Sequence, residues 1–93
     1  MTVEHIPGKK VGHVMLYALS TCGWCSKTRK LLDELGVEYY YIYVDLLEGV
    51  ERMSTTSEVE RWNPRRSFPT LVIDDTRSII GFNEEDIRKA LAA

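Results

Sequence analysis

The stretch LSTCGWCSKTRK, residues 19–30, holds both cysteines of the chain, Cys22 and Cys25. It overlaps the continuous apolar run VMLYAL (residues 14–19), which has the length of a strand buried on both faces. From Cys25 onward the apolar positions recur with a helical period, and Gly36 stands where a helix C′ glycine belongs. The sequence therefore predicts that the cysteine pair lies where a buried strand passes into the N-terminus of a helix.

Unpaired N–H groups and positive charges are predicted to surround the pair. Up to four backbone N–H groups at a helix start lack helical partners, and they stabilise a thiolate, which lowers a cysteine pKa below its free value of about 8.5. The helix also carries Lys27, Arg29 and Lys30 early and its acids late, the reverse of the usual order. We interpret these cations as groups that lower the pKa of a reactive cysteine; the alternative is a solvated face.

Length and composition fit one small globular domain, with 93 residues, 44% apolar and 28% charged. The net charge of −2 argues against nucleic acid as the main partner. No window has the eighteen or so apolar residues of a membrane span, and residues 1–13 lack the apolar region of a signal peptide. We therefore expect a cytoplasmic monomer without membrane partners. In that compartment a cysteine pair is more often catalytic or metal-binding than a structural disulfide.

The rest of the chain predicts three more strands, two of which form a hairpin, and two helices. VEYYYIYVDL (residues 37–46) is rich in aromatic and β-branched residues and predicts a strand. A helical period follows, which STTS (residues 54–57) weakens or splits. PTLVI and RSII, residues 69–73 and 77–80, predict a hairpin around the turn DDT, and Asn83 predicts the N-cap of a last helix.

This order, β-α-β-α-β-β-α, predicts the architecture of an α/β domain. A parallel pair with a helical crossover, followed by an antiparallel hairpin, gives a four-stranded mixed sheet with helices on both faces. We assign this domain to residues 14–93. Residues 1–13 are predicted to be a loose tail or a small edge hairpin, because Pro7-Gly8 is a turn signal.

Metal binding is the main alternative chemistry for the cysteine pair. A closed zinc site needs four ligands, and besides the two cysteines the chain offers only His5 and His13 as ligands of the usual kind. Those histidines lie eight residues apart and upstream, unlike the spacing of zinc fingers. We therefore predict no metal site. Two inert buried cysteines are a further alternative, which Gly23 and Trp24 disfavour because they suit an exposed loop.

Three motifs resemble those of the glutaredoxin family: CGWC after the first strand, SFPT opening the third, and GFNEED after the fourth. The similarity extends over nearly the whole chain from Val14. It implies a thioredoxin-like fold and a thiol–disulfide oxidoreductase in which Cys22 is the nucleophile and Cys25 the resolving cysteine. It also implies that the Phe68-Pro69 peptide bond is cis. The residues that it implies for substrate or thiol binding are Thr21, Gly23, Trp24, Phe68, Pro69, Gly81, Phe82, Asn83 and Glu84.

Two departures from the family pattern concern the electron donor. Members that use glutathione usually carry a cation three positions before the nucleophile and a Gly-Gly pair before the last helix, where this chain has Leu19 and Gly81-Phe82. In the second departure, Gly81-Phe82 in place of the Gly-Gly pair, the chain is similar to redoxins that draw electrons from thioredoxin reductase. Arg65 and Arg66 are candidates to replace the lost cation, unless they only form a solvated loop.

We therefore expect no tightly bound cofactor. The predicted partners are disulfide-containing proteins and an electron donor, which is glutathione, another low-molecular-weight thiol or thioredoxin reductase. The alternative function is an iron–sulfur cluster shared within a dimer, as in some glutaredoxins.

Overall fold

A five-stranded mixed sheet with three helices forms the fold in the computed structural model, which describes residues 3–92. The strand order is β1-β3-β2-β4-β5. The elements are β1 (Glu4–Ile6), β2 (Val14–Ala18), α1 (Gly23–Leu35), β3 (Tyr39–Tyr43), a 3₁₀ turn (Val44–Leu46), α2 (Gly49–Trp62), β4 (Thr70–Ile73), β5 (Arg77–Ile80) and α3 (Glu84–Leu91).

The predicted count of four strands is too low by one. The parallel pair β2–β3 and the antiparallel pairs β2–β4 and β4–β5 form as expected. In addition, β1 pairs antiparallel with β3, with His5 opposite Tyr40. This edge strand has three residues, two of them exposed, so no apolar alternation marks it in the sequence.

Helices cover both faces of the sheet, as predicted. Alternate residues of β2 point to opposite sides, so Val14, Leu16 and Ala18 pack in one buried cluster with α1 and α3. Tyr17 packs on the other side in a second cluster, with Val59 of α2. The end of β2 is therefore fixed from both sides just before the cysteine pair begins.

Helix α2 is continuous, whereas residues 54–57 were expected to weaken or split it. Serine and threonine lower helix propensity by only a few tenths of a kcal/mol each, and tertiary packing overrides that. The packing comes from Val59, which is buried, and the half-buried Trp62. Two further apolar residues of α2, Val50 and Met53, also recur at helical spacing in the sequence, but both are exposed.

The predicted helix ends are confirmed. Gly36 has a φ of 68° and its N–H donates to the carbonyls of Leu32 and Asp33, which closes α1. The Asn83 side chain accepts a hydrogen bond from the Asp86 N–H at 3.1 Å and opens α3. No helix within residues 3–92 is long and apolar enough to cross a membrane.

Candidate active site

The two cysteines occupy different positions in the first turn of α1. Cys22 is the N-cap residue, and its Sγ accepts a hydrogen bond from the backbone N–H of Cys25 at 3.1 Å. Its own N–H donates to the Leu19 carbonyl at 3.2 Å, which closes the turn leaving β2. Both thiols are free. Cys22 is half-buried, while Cys25 is only 1% exposed. An incoming sulfur atom therefore reaches Cys22 before Cys25.

The surroundings of Cys25 keep its thiol protonated. Burial raises the pKa of Cys25 to about 12, and the hydrogen bond with Cys22 and the negative charge of Asp45 act in the same direction. A hydrogen bond with the Leu19 backbone acts in the opposite direction. The helix start therefore provides one accessible sulfur atom that receives an N–H and one buried sulfur atom that holds its proton.

The three cations proposed to favour a thiolate take separate places. The Lys27 Nζ lies over the Trp24 ring, 4.6 Å from its centroid, and Lys30 lines a shallow cleft with Lys27. Arg29 points to the sheet instead, where its Nη1 donates to the Tyr43 hydroxyl at 3.0 Å and its guanidinium lies 3.9 Å from the centre of the Tyr41 ring. The structure thus places Lys27 beside the CGWC segment and assigns Arg29 to the tyrosines of β3.

The SFPT and GFNEED segments meet beside the cysteine pair. The Phe68–Pro69 peptide bond is cis, as the family resemblance implied. The Pro69 carbonyl accepts a hydrogen bond from the Gly81 N–H at 2.9 Å, which ties the two segments together. Gly81 has a φ of 79°, in the region that favours glycine. Within residues 3–92, neither the N–H nor the C=O of Phe68 has a hydrogen-bond partner, which leaves both for a ligand.

Aromatic side chains form an apolar cavity at this junction. The rings of Trp24 and Phe82 stack with their centroids 6.0 Å apart, and Trp24 is 57% exposed. Together with Phe68, Pro69 and Gly81 they line a cavity of about 250 Å³. The structure thus brings together five of the nine residues predicted to bind substrate or thiol.

The other four predicted binding residues surround these five. Thr21 and Gly23 flank Cys22 and are exposed, and a Cβ on Gly23 would meet no atom within 4 Å. Asn83 caps α3 with its side chain and is therefore already hydrogen-bonded. Glu84 pairs with Arg88 at 2.8 Å and lines the cleft that also holds Lys27.

A carboxylate that the sequence did not reveal holds the segment before Cys22. Asp45, in the 3₁₀ turn after β3, accepts hydrogen bonds from both the backbone N–H of Ser20, at 2.9 Å, and its hydroxyl. These bonds lower the pKa of Asp45 below its ordinary value. The parallel pairing of β2 with β3 places the ends of the two strands side by side, which is the one signal that could have predicted this contact.

A second cavity, of about 340 Å³, lies on the other side of Phe68 and is rich in arginine. Its apolar part includes Leu19 and Val59, and its charged residues are Arg52, Arg65, Arg66 and Asp45. Arg66 pairs with Glu60 at 3.6 Å, while the carboxylate of Asp45 is held by Ser20. Arg65 and Arg66 were candidates from the sequence, but Arg52 was not, because α2 places it there from a distance along the chain.

A buried amide fixes the loop that carries these arginines and Phe68. Asn63 is 1% exposed, and its Nδ2 donates to the Ser67 carbonyl at 3.0 Å, the Ser67 hydroxyl at 3.0 Å and the Thr70 hydroxyl at 3.1 Å. Its Oδ1 accepts from the Arg65 N–H at 3.2 Å.

Among residues 3–92, no group of three or more histidines, cysteines or acids could hold a metal ion.

The thioredoxin-like fold and a free cysteine pair at a helix start, next to the cis-proline loop, define a thiol oxidoreductase of the thioredoxin-fold class. The glutaredoxin family model matches residues 14–77, and the chain belongs to the glutaredoxin family.

Solved structures and a curated sequence are similar to this chain. The glutaredoxin of Methanosarcina mazei is 48% identical with a TM-score of 0.92, over 100% of this chain and 90% of that one. The methanoredoxin of Methanosarcina acetivorans is 48% identical with a TM-score of 0.89, over 92% and 90%. An uncharacterised glutaredoxin-like 8.6 kDa protein in a rubredoxin operon of Clostridium pasteurianum is 26% identical over 84% of this chain and 96% of its own.

Proposed function

We propose that this protein reduces protein or low-molecular-weight disulfides through the dithiol Cys22/Cys25. The observation that supports the proposal is the division of roles within one helical turn. Cys22 is accessible and accepts the Cys25 N–H, whereas Cys25 is buried with a raised pKa. A helix start that donates to one sulfur atom suits a nucleophilic thiolate at that position.

The reaction proceeds in two exchanges of sulfur. The Cys22 thiolate attacks one sulfur of the substrate disulfide, so a mixed disulfide forms and the other substrate sulfur leaves as a thiolate. Cys25 then attacks the Cys22 sulfur and gives up its proton, which the departing substrate thiolate takes. The substrate leaves with two added electrons, and the protein keeps a Cys22–Cys25 disulfide. No tightly bound cofactor is required by these steps.

The high pKa of Cys25 suits the order of the two exchanges. While the thiol of Cys25 keeps its proton, it does not compete with Cys22 for the substrate. Once the mixed disulfide has formed, the negative charge of the Cys22 thiolate is gone, and the substrate sulfur bound to Cys22 can leave as a thiolate. Proton loss from Cys25 is therefore coupled to departure of the substrate. Because Cys25 is buried, it is shielded from an outside thiol, and this favours its attack on the adjacent Cys22 sulfur.

For the electron donor we propose a thioredoxin-reductase system or a thiol smaller than glutathione. Glutathione carries two carboxylates, and its tight use needs placed cations and free backbone donors. Leu19 occupies the position of the family's cation, and the Gly81 N–H is already bonded to Pro69. The arginine cavity beside Phe68 offers charge for one acidic group, which suits a smaller anionic thiol.

Variants of the two cysteines test the proposed roles. We expect Cys22→Ser to abolish reduction of a small disulfide, and Cys25→Ser to retain the first exchange and accumulate a mixed disulfide that mass spectrometry detects. The reverse behaviour of the two variants would show that the roles are assigned wrongly. Absence of any mixed disulfide in Cys25→Ser would contradict the oxidoreductase proposal itself.

The donor is tested by steady-state reduction of the same disulfide with three electron sources. These are glutathione with glutathione reductase, NADPH with thioredoxin reductase, and free cysteine. We expect weak turnover with glutathione. Efficient turnover with glutathione that Arg65→Glu or Arg66→Glu abolishes would overturn the proposal. Arg61→Glu is the matched control, because Arg61 is an exposed arginine of α2 that pairs with Glu58 outside the cavity.

A further inference from the structure

The cavity of about 250 Å³ beside the CGWC segment has no polar side chain among its lining residues. Trp24, Phe68 and Phe82 line the cavity with aromatic rings, and Pro69 and Gly81 complete its lining. Typical small-molecule sites have volumes of about 300–1,000 Å³, and this cavity is smaller. It therefore has room for one side chain rather than for a whole peptide ligand.

The polar groups next to this cavity are already engaged with other groups of the protein. The Gly81 N–H donates to the Pro69 carbonyl, and the Asn83 side chain accepts from Asp86. The first turn of α3 carries three acids, Glu84, Glu85 and Asp86. Glu84 and Glu85 pair with Arg88 and Lys89, and the Lys27 ammonium already lies over the Trp24 ring. A neutral apolar group needs no polar partner to enter the cavity.

The aromatic wall is accessible enough to gain from a ligand. Trp24 is 57% exposed although it stacks on Phe82, so an apolar side chain that enters the cavity removes aromatic surface of both from water. The Lys27 ammonium lies over the Trp24 ring at 4.6 Å and helps to hold that ring in place. Phe82 is the residue that closes the cavity on the side of α3.

We propose that this cavity binds an aromatic or large aliphatic side chain adjacent to the disulfide of the substrate, so that the protein selects peptide and protein disulfides flanked by apolar residues. This inference rests on the proposed function, since it concerns the substrate of the same cysteine pair. Phe82 and Trp24 set the selectivity, and the free N–H and C=O of Phe68 bind the backbone of the same substrate segment.

Single-turnover reduction of two synthetic peptides tests the proposal without an electron donor. Each peptide carries one cysteine in a mixed disulfide with 2-mercaptoethanol, flanked on both sides by phenylalanine in one peptide and by serine in the other. The pre-reduced protein is mixed with each, and the second-order rate constant of release is measured by chromatography. We expect the phenylalanine peptide to react about tenfold faster, the size of effect that a side chain filling an apolar pocket produces.

Substitution at Phe82 identifies the cavity as the source of the preference. We expect Phe82→Gly to bring the two rate constants to within about twofold, mainly by slowing the phenylalanine peptide, and Phe82→Leu to keep most of the preference. Val50→Ala, which truncates an exposed apolar side chain outside the cavity, is expected to leave the ratio unchanged. Far-ultraviolet circular dichroism of each variant reports whether the fold is kept.

The outcomes separate the two proposals. Equal rates for both peptides with the wild-type protein, or a preference that Phe82→Gly leaves intact in a folded variant, would overturn the selectivity while leaving the oxidoreductase activity in place. If neither peptide is reduced at all, the proposed function itself fails, and the selectivity fails with it.

Discussion

Replacing Asn63 by alanine is predicted to destabilise the protein strongly and to impair disulfide exchange as well. This side chain lies in the interior, where it donates to three oxygen atoms and accepts from a fourth group. The two N–H bonds of one amide serve three acceptors, so the loss corresponds to about two donated bonds and one accepted bond. At about 1 kcal/mol net for each, Asn63→Ala costs about 2–4 kcal/mol of the free energy of unfolding.

The same network determines the position of Phe68. Asn63 and the Thr70 hydroxyl both donate to the Ser67 carbonyl, so the residue directly before Phe68 is held from both ends of the loop. Without Asn63 only the bond from Thr70 remains, at 2.8 Å. We therefore expect a slower first exchange with a peptide disulfide even at temperatures where the variant is folded. The slowing reflects a less ordered substrate-binding edge, while the cysteine pair itself is untouched.

Urea denaturation measures the cost, with Ser57→Ala as the control because Ser57 is an exposed residue of α2. Asn63→Asp provides a second test. It keeps the acceptor oxygen but, when ionised, presents a second oxygen to the acceptors that Nδ2 now serves, so we expect it to be at least as destabilising at neutral pH. Part of the loss should return as the pH falls and that carboxyl is protonated, because it can then donate. A cost below about 1 kcal/mol for Asn63→Ala, or no difference from the control, would refute this account.

Two further predictions concern ionisation. Burial is the main cause of the raised pKa of Cys25 and the charge of Asp45 adds to it, so Asp45→Asn is expected to lower that pKa; thiolate absorbance against pH measures the change, and an unchanged titration would contradict it. Burial also raises the pKa values of Tyr17 and Tyr39 to about 12, as it does for Cys25. Because the folded state favours the protonated forms of these groups, their contribution to the free energy of unfolding is complete below the ordinary pKa values of about 8.5 for cysteine and 10 for tyrosine. It is lost as the pH rises towards 12. Denaturation of the reduced protein between pH 8 and 12 should show the loss, which is smaller in Cys25→Ser; an equal loss in both proteins would argue against the thiol's share.

Local signals in the sequence predicted most of the fold correctly. The buried strand before the cysteine pair, the left-handed Gly36 that ends α1 and the Asn83 cap of α3 are all confirmed. Each depends on a residue and its immediate neighbours, which a sequence displays directly. The sheet edge behaved differently. Strand β1 pairs with β3 across more than thirty residues, and its three residues carry no pattern of their own.

The positions of charged side chains were less predictable than the positions of the cysteines. The spacing of Cys22 and Cys25 fixes both on one helical turn, so their contact followed from the sequence. A charge in the same turn has no such constraint. Arg29 turns to β3 because Tyr39, Tyr41 and Tyr43 alternate along that strand and present two hydroxyls and an aromatic face on the side of α1. The period of two was visible in the sequence, and it was the signal that could have predicted this contact.

The spacing of the cysteine pair is also the spacing of a helix cap, and this links the fold to the direction of the chemistry. An N-cap side chain accepts from the N–H three residues later, and here the acceptor is the Cys22 sulfur and the donor is the Cys25 backbone. A thiolate is a stronger acceptor than a neutral disulfide sulfur, so a helix start favours the reduced form of a cysteine pair over its disulfide. A cap of this kind contributes about 1 kcal/mol, which corresponds to about 20 mV for a two-electron couple. Oxidation weakens the cap and reduction restores it. The same turn that exposes Cys22 therefore makes a Cys22–Cys25 disulfide easier to reduce than one outside a helix start.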